Sequence, residues 1–433
     1  MSITTIGIIG ICALLILFFL KMPVGFAMAL VGFFGILMIR GVDSGLSNIA
    51  LIPLRWSSTY VLGAIPLFIL MGFFAANTGL TQDAFYAANK WIGHIRGGLA
   101  ISTIGACAVF GAVCGDIIAA AVTMCSVALP EMRKYNYHDS LSLGCIAAGG
   151  NLSFLIPPSL GFITYAILTE LSIGTLFIAG ILPGLLMAVL FSITILIQCR
   201  LNPHLAAKGP KASWKERFAS IRYVWGFGAL ILLVLGGIYG GVVTPTEAGA
   251  LGVFGTVILG LANRRLSWHV VTDSFKSAAQ LTGMILILIM GAMVFSSFMT
   301  TTEIPLDLAN YIAGLALPPQ VILAIILVTF VLIGFVLDIM AVIMLVVPIL
   351  HPILVGLGFD PIWLGVLVII TVIMGHISPP FGVVVFSIGG VVRDVPIFTI
   401  FRGALPFLGA MFVGLVLIVI FPDIALILPH LMS

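Results

Sequence analysis

The chain has 433 residues, of which 61% are hydrophobic and only 8% charged, with a formal net charge of +3 and a mean hydropathy of +1.30. Soluble domains carry about 25% charged and about 45–50% apolar residues, so this composition excludes a soluble enzyme, a nucleic-acid binder and a disordered chain. The apolar runs are too long for the alternating strands of an outer-membrane barrel. An all-α polytopic membrane protein remains, because only helices satisfy the backbone within such runs.

In chain order, apolar runs predict helices over about 4–20 and 24–40 and a crossing over 57–77. The start has no basic region and no small-residue cleavage site, so the first run is expected to be a retained helix. The stretch 80–96 sets Lys90, His94 and Arg96 on an apolar background, which suits an amphipathic helix at the inner surface. Segments 97–113 and 117–130 follow as a hairpin (near 97–130) with its tip at Gly111–Asp116. A crossing near 141–170 breaks at Ile156-Pro157-Pro158-Ser159, and 173–199 returns. The polar stretch 200–221 carries Lys208, Lys211, Lys215 and Arg217 and reads as a basic cytoplasmic linker. Beyond it come 222–241, 246–262, 276–298 and a surface segment near 300–317. A hairpin near 320–352 (320–337 and 339–352), a crossing near 362–392 broken at Ser378-Pro379-Pro380, and a last helix over 403–430 complete the chain. The six cysteines (Cys12, Cys107, Cys114, Cys125, Cys145, Cys199) lie in or beside apolar runs and are read as packing residues.

The chain repeats itself. At an offset of 222, Pro23 maps onto Pro245, Asp116 onto Asp338, Pro130 onto Pro352 and Pro157-Pro158 onto Pro379-Pro380. With 22 prolines in the chain, chance gives on the order of half a proline match at one offset. This divides the chain into a first repeat (1–199), the linker and a second repeat (222–433). Basic residues alternate between the halves. Arg133 and Lys134 have no basic counterpart in 353–361, while Arg264, Arg265, Arg393 and Arg402 face apolar, acidic or glycine equivalents in the first half. Cytoplasmic loops are enriched in Lys and Arg, so equivalent loops lie on opposite sides of the membrane. The expected architecture is an inverted-topology repeat with two re-entrant hairpins and two discontinuous helices, and the N-terminus outside.

The hairpins and broken helices carry nearly all the unusual residues. Half-helices that end at membrane depth expose N–H groups that favour an anion and carbonyls that favour a cation, and a proline doublet frees carbonyls upstream of it. Asp116 and Asp338 are carboxylates in apolar runs, where such groups face cavities. A cation ligand, a proton carrier and a helix cap all fit them. Asn151 and Ser153 precede the first break and Ser159 lies in it; these small polar residues line a site or pack helices. His376 precedes the second break, either as a hydrogen-bonded structural residue or as a functional one. Thr244-Pro245-Thr246-Glu247 reads as a capping box. Gly236, Gly237, Gly240 and Gly241 read as a close helix contact.

The stretches FGAVCGDIIAAAVTMCSVALPEMRKYNY and AAGGNLSFLIPPSLGFITYA resemble the large membrane subunit of tripartite ATP-independent periplasmic (TRAP) transporters, as do VTPTEAGALG, GFVLD and MGHISPPFGVVVF. The resemblance covers essentially the whole chain. It implies an elevator-type secondary transporter of the bacterial inner membrane, with a scaffold and arm helices around a mobile domain that holds both hairpins. The implied partners are a small membrane subunit of about four helices and a soluble periplasmic binding protein that delivers an organic anion, a carboxylate or sulfonate. No cofactor is implied beyond coupling ions, usually sodium. Carried over by position, one sodium belongs near Cys114, Gly115 and Asp116 with Ile156 and Pro157, and a second near Val336 and Asp338 with Ser378 and Pro379. The substrate falls to Asn151, Ser153, Ser159 and His376. Two departures stand out. The usual Ser-Gly-Ser-Ser tip is here Cys114-Gly115-Asp116-Ile117, so hydroxyl ligands give way to a carboxylate that binds a sodium ion or a proton. Thr371 stands where asparagine is common.

Two other readings compete. A stand-alone sodium/anion symporter needs no binding protein. An intramembrane aspartyl protease would use Asp116 and Asp338, but Val113 occupies the place of the first glycine of a GxGD pattern.

Overall fold

The computed structural model describes residues 2–314 and 317–432, and among these it is all-helical apart from one isolated bridge between Arg96 and Lys208. Before the linker lie α1 (Ile3–Phe19), α2 (Val24–Arg40), α3 (Val42–Ser57), α4 (Ala64–Asn77), α5 (Leu80–Ile92), α6 (Gly98–Cys114), α7 (Ile117–Lys134), α8 (Asp139–Leu155), α9 (Leu160–Thr169) and α10 (Ile173–Leu201). After it come α11 (Trp214–Tyr239), α12 (Pro245–Ala262), α13 (Trp268–Thr301), α14 (Ile304–Gly314), α15 (Pro319–Gly334), α16 (Ile339–Gly356), α17 (Pro361–Ile377), α18 (Val383–Val391), α19 (Ile397–Ile420) and α20 (Asp423–Met432). Eight segments of the described residues are long and apolar enough to cross a membrane.

Each half contains a helix pair, α6–α7 and α15–α16, and a helix interrupted at its proline doublet, α8–α9 and α17–α18. The unbroken stretches before the doublets form the core. Every residue of α8 from Leu141 to Leu155 is buried, and so is every residue of α17 from Trp363 to Ile377. Helices this apolar on all sides belong inside protein. The first helix of each pair packs on them through small residues. A Cβ on Gly111 would lie 2.6 Å from Ser153 Cα, and one on Gly375 would lie 2.7 Å from the Gly334 carbonyl carbon. Tyr165 of α9 reaches His351 Nδ1 at 2.8 Å and the Pro361 carbonyl at 3.0 Å, tying the first broken helix to the second helix pair.

Several boundaries differ from the sequence reading. Helix α3 was not expected, because Asp43, Ser44, Asn48, Pro53 and Arg55 interrupt any apolar run; it is amphipathic, and Asn48 donates to Ser297 Oγ of α13 at 2.8 Å. Helix α11 starts at Trp214 rather than near 222, because Ser213 and Glu216 form a capping box. The irregular part of the linker therefore shrinks. Helix α13 runs for 34 residues, longer than the apolar run alone suggested. The surface segment near 300–317 contains α14, while residues 315 and 316 lie outside the described ones. The last apolar stretch is two helices that part at Phe421-Pro422. The Thr244–Glu247 capping box is present. Among the described residues the glycine stripe at the end of α11 meets no other helix. Gly236 and Gly241 face open space, and Gly237 and Gly240 meet only their own chain segment; Gly241 serves the turn instead, at φ +64.

Candidate substrate and ion site

Both conspicuous aspartates are N-caps. Asp116 Oδ1 accepts from the Ala119 N–H at 2.6 Å and starts α7. Asp338 Oδ2 accepts from the Met340 N–H at 3.1 Å and starts α16. A capping carboxylate satisfies orphan donors and suits the positive end of the helix dipole. Both residues also line one cavity of about 540 Å³. His376 at the end of α17, Phe154 of α8 and Val384 of α18 line it as well.

Part of the wall was not foreseen. It comes from α13, through Ser277, Gln280, Leu281, Met284 and Ile285, and from Phe73 of α4. The α13 residues recur at i, i+3, i+4, i+7 and i+8, which is one helix face. The signal was in the sequence: Ser277 and Gln280 are polar residues three apart beside a long apolar run.

The two breaks differ in surroundings. The first is covered: Pro157 and Pro158 are buried, and Gly115 lies close to the Pro158 carbonyl, which a Cβ there would approach to 3.4 Å. Gly72 of α4 abuts Cys114, whose Cα would stand 2.8 Å from a Cβ at that position. Ile156 caps the end of α8. The second break is open: Val336 is 62% exposed, and Pro379 and Phe381 are exposed too. Ser378 is buried and donates to the Met374 carbonyl at 2.7 Å.

Of the residues expected to touch substrate, only His376 lines the cavity. Its Nδ1 stands 3.1 Å from the Val372 carbonyl and its buried Nε2 has no partner. Ser159 caps α9, accepting from the Gly161 N–H at 3.2 Å and donating to the Phe154 carbonyl. Asn151 and Ser153 are fully buried between helices, outside the cavity wall.

A sequence profile of the tripartite ATP-independent periplasmic transporter, DctM component, matches residues 11–424. The chain belongs to this family. It is 35% identical over 376 residues to the C4-dicarboxylate TRAP transporter large permease protein DctM of Pseudomonas aeruginosa, covering 86% of this chain and 87% of that one. It is 35% identical to the ectoine TRAP transporter large permease protein TeaC of Halomonas elongata, covering 99% of each. To the sialic acid TRAP transporter large permease protein SiaM of Vibrio cholerae it is 30% identical, covering 96% of each. These relatives are permeases, not enzymes, which removes the aspartyl protease reading. Among solved structures, the fold is similar to MtrF of Neisseria gonorrhoeae, at a TM-score of 0.59 and 15% identity over 90% of this chain and 85% of that one. The chain is thus a multi-pass TRAP large permease.

Proposed function

We propose that this permease drives sodium-coupled uptake of a small organic acid, a carboxylate or sulfonate, through the cavity between its two helix-pair tips. One observation carries the reading. Asp116 and Asp338, at the ends of the two tips, line the same cavity as the continuous helix α13. Relatives are named for C4-dicarboxylates, sialic acid, ectoine and isethionate, all organic acids or zwitterions.

In this reading the halves are inverted-topology repeats, the helix pairs are re-entrant hairpins, and the N-terminus is periplasmic in the bacterial inner membrane. Helices α4 and α13 belong to a fixed scaffold, and the hairpins with α8–α9 and α17–α18 move as one body, an elevator. Sodium binds where carbonyls are freed: at Cys114, Gly115 and Asp116 with Ile156 and Pro157, and at Val336 and Asp338 with Ser378 and Pro379. The partners are a small membrane subunit of about four helices and a periplasmic binding protein.

Uptake into proteoliposomes tests this, with the small subunit and binding protein each present or omitted and with sodium and proton gradients imposed separately. Uptake that needs the binding protein and an inward sodium gradient is expected. Uptake driven by protons alone would replace sodium with proton coupling, and uptake without the binding protein would make the chain a stand-alone symporter.

A further inference from the structure

We infer that Arg55 receives the acid group of the substrate when the transport site faces the outer side of the membrane. The inference rests on the inverted-repeat and elevator reading given above. It follows from a correspondence between two cavities, one lined by scaffold residues of each half of the chain.

The repeat extends to whole elements. At the offset of 222, α7 (Ile117–Lys134) and α8 (Asp139–Leu155) fall end for end on α16 (Ile339–Gly356) and α17 (Pro361–Ile377). The single helix α13 falls on α3 and α4 together, with the turn between them. The face of α13 that lines the cavity of the two tips includes Ser277, Leu281 and Met284. Their counterparts are Arg55, Thr59 and Leu62, and all three line a second cavity, of about 330 Å³. The moving body's share of that second lining comes from the end of α9, Glu170 included. The same stretch of scaffold thus lines a cavity in both halves, and only one of the two cavities holds the tips.

Inverted repeats alternate access by exchanging the roles of their halves. With the N-terminus outside, α1 and α2 bring α3 to the outer face, while Arg264 and Arg265 place the start of α13 at the inner one. The tips share their present cavity with Ser277, Leu281 and Met284. In the exchanged state they share one with Arg55, Thr59 and Leu62. The exchange is not chemically neutral. Ser277 brings a hydroxyl, whereas Arg55 brings a guanidinium whose fork of donors matches a carboxylate. Arg55 is exposed and joins no ion pair among the described residues. The carboxylate in its cavity in this state is that of Glu170, which is in no such pair either and whose counterpart Val392 is apolar. Movement of the body carries Glu170 away and brings the tips and the substrate in its place. No lysine or arginine lines the inner cavity. The acid is therefore held by a basic residue on the outer side and released from a wall without one on the inner side.

The test uses proteoliposomes of the full-length permease with its small subunit and binding protein. Radiolabelled succinate, sialic acid and isethionate are offered, acids of the kinds for which relatives are named, and the one that the parent chain takes up is carried forward. Arg55→Gln is expected to slow uptake at least tenfold and Arg55→Lys at most about threefold. Neither should shift the internal concentration that half-saturates efflux. Ser277→Arg, which places the charge on the inner side, should lower that internal concentration at least tenfold. Geometry is tested without substrate, by a bis-maleimide on paired cysteines. Ile118, at the first tip, lines the present cavity with Leu281. Ile118→Cys should cross-link with Leu281→Cys in this state and with Thr59→Cys in the exchanged one, and the single variants should not cross-link. Parent-like uptake in Arg55→Gln, equal losses in the Gln and Lys variants, or a cross-link at Leu281 without one at Thr59 overturns the inference and leaves the transport reading standing. If the parent takes up none of the three acids, the transport reading fails and the inference falls with it.

Discussion

The side-chain amide of Asn151 donates to the Ile373 carbonyl at 3.4 Å, across 222 residues. That separation is the offset that aligns the prolines and aspartates of the two halves, so a residue touches its own counterpart. It happens where the two core helices α8 and α17 meet. Equivalent positions of a duplicated chain come together only near a symmetry axis, and this contact therefore supports the two-fold relation proposed for the repeats.

Asn151 is fully buried, and its Oδ1 has no partner. Asn151→Asp turns the amide donor into a second acceptor and places a charge facing a carbonyl. It is expected to cost about 3 kcal/mol or more, because no cation pairs with it. Asn151→Leu has similar volume, loses one hydrogen bond and is expected to cost about 1 kcal/mol. Thermal midpoints in detergent check the order; an Asp variant as stable as the Leu variant would show the contact to be wrongly placed.

Asp116 serves a cap and a cavity at once, and two variants separate these roles. Asp116→Ala removes the bond to Ala119 and is expected to cost about 1 kcal/mol of stability. Asp116→Asn keeps that bond and should melt like the parent, yet its transport should be lost or altered in sodium dependence. Uptake measured against sodium concentration decides. Unchanged rate and unchanged sodium dependence in Asp116→Asn would reduce Asp116 to a cap.

Much of this was readable from the sequence, for a physical reason. Prolines and charges are costly inside apolar helices, so Pro157, Pro379, Asp116 and Asp338 marked the breaks and tips before any coordinates. What was hidden depends on who the neighbours are. Ser153 was open between site and packing, and only the approach of Gly111 shows that it packs. Helix α3 was missed because its amphipathic face resembles a loop in hydropathy. The α13 wall was missed because its polar residues become meaningful only once the two tips are seen opposite it. The glycines after Leu235 meet no other helix among the described residues, and their spacing suits a helix end as well as a close contact.

The glycines also give a paired stability test. At Gly375 an added Cβ would meet Gly334 backbone at 2.7 to 3.0 Å, and backbone cannot step aside as a flexible side chain does. Gly375→Ala is expected to cost about 1–3 kcal/mol. Gly236 lies in the last turns of α11 with open space around it. Gly236→Ala should stabilise by roughly 0.5–1 kcal/mol, through helix propensity alone. Opposite signs in the two thermal midpoints are the expected result, and a loss at both positions would contradict the packing described.

A last prediction concerns how α5 is held. Arg265, in the turn before α13, grips Asp83 with both terminal nitrogens, at 2.6 and 3.2 Å, and its Nη1 also donates to the Thr78 and Gly79 carbonyls at 3.4 and 3.2 Å. Gly79 has φ +76, so the chain turns there from α4 into α5, and Arg265 fixes both sides of that turn. The other end of α5 is tied as well: the Gly209 N–H donates to the Gly93 carbonyl at 3.1 Å, and Lys90 pairs with Glu216 of α11 at 3.4 Å. Asp83 is 8% exposed, while Arg265 is partly open to solvent, so Asp83→Asn is expected to cost about 1–3 kcal/mol rather than the larger loss of a fully buried pair. The loss should be local. Hydrogen exchange over residues 78–92 should rise in Asp83→Asn while exchange in α8 and α17 stays as it was, because no core contact changes. A rise spread evenly over the core helices would mean that the pair supports the whole fold and not the anchor of one arm.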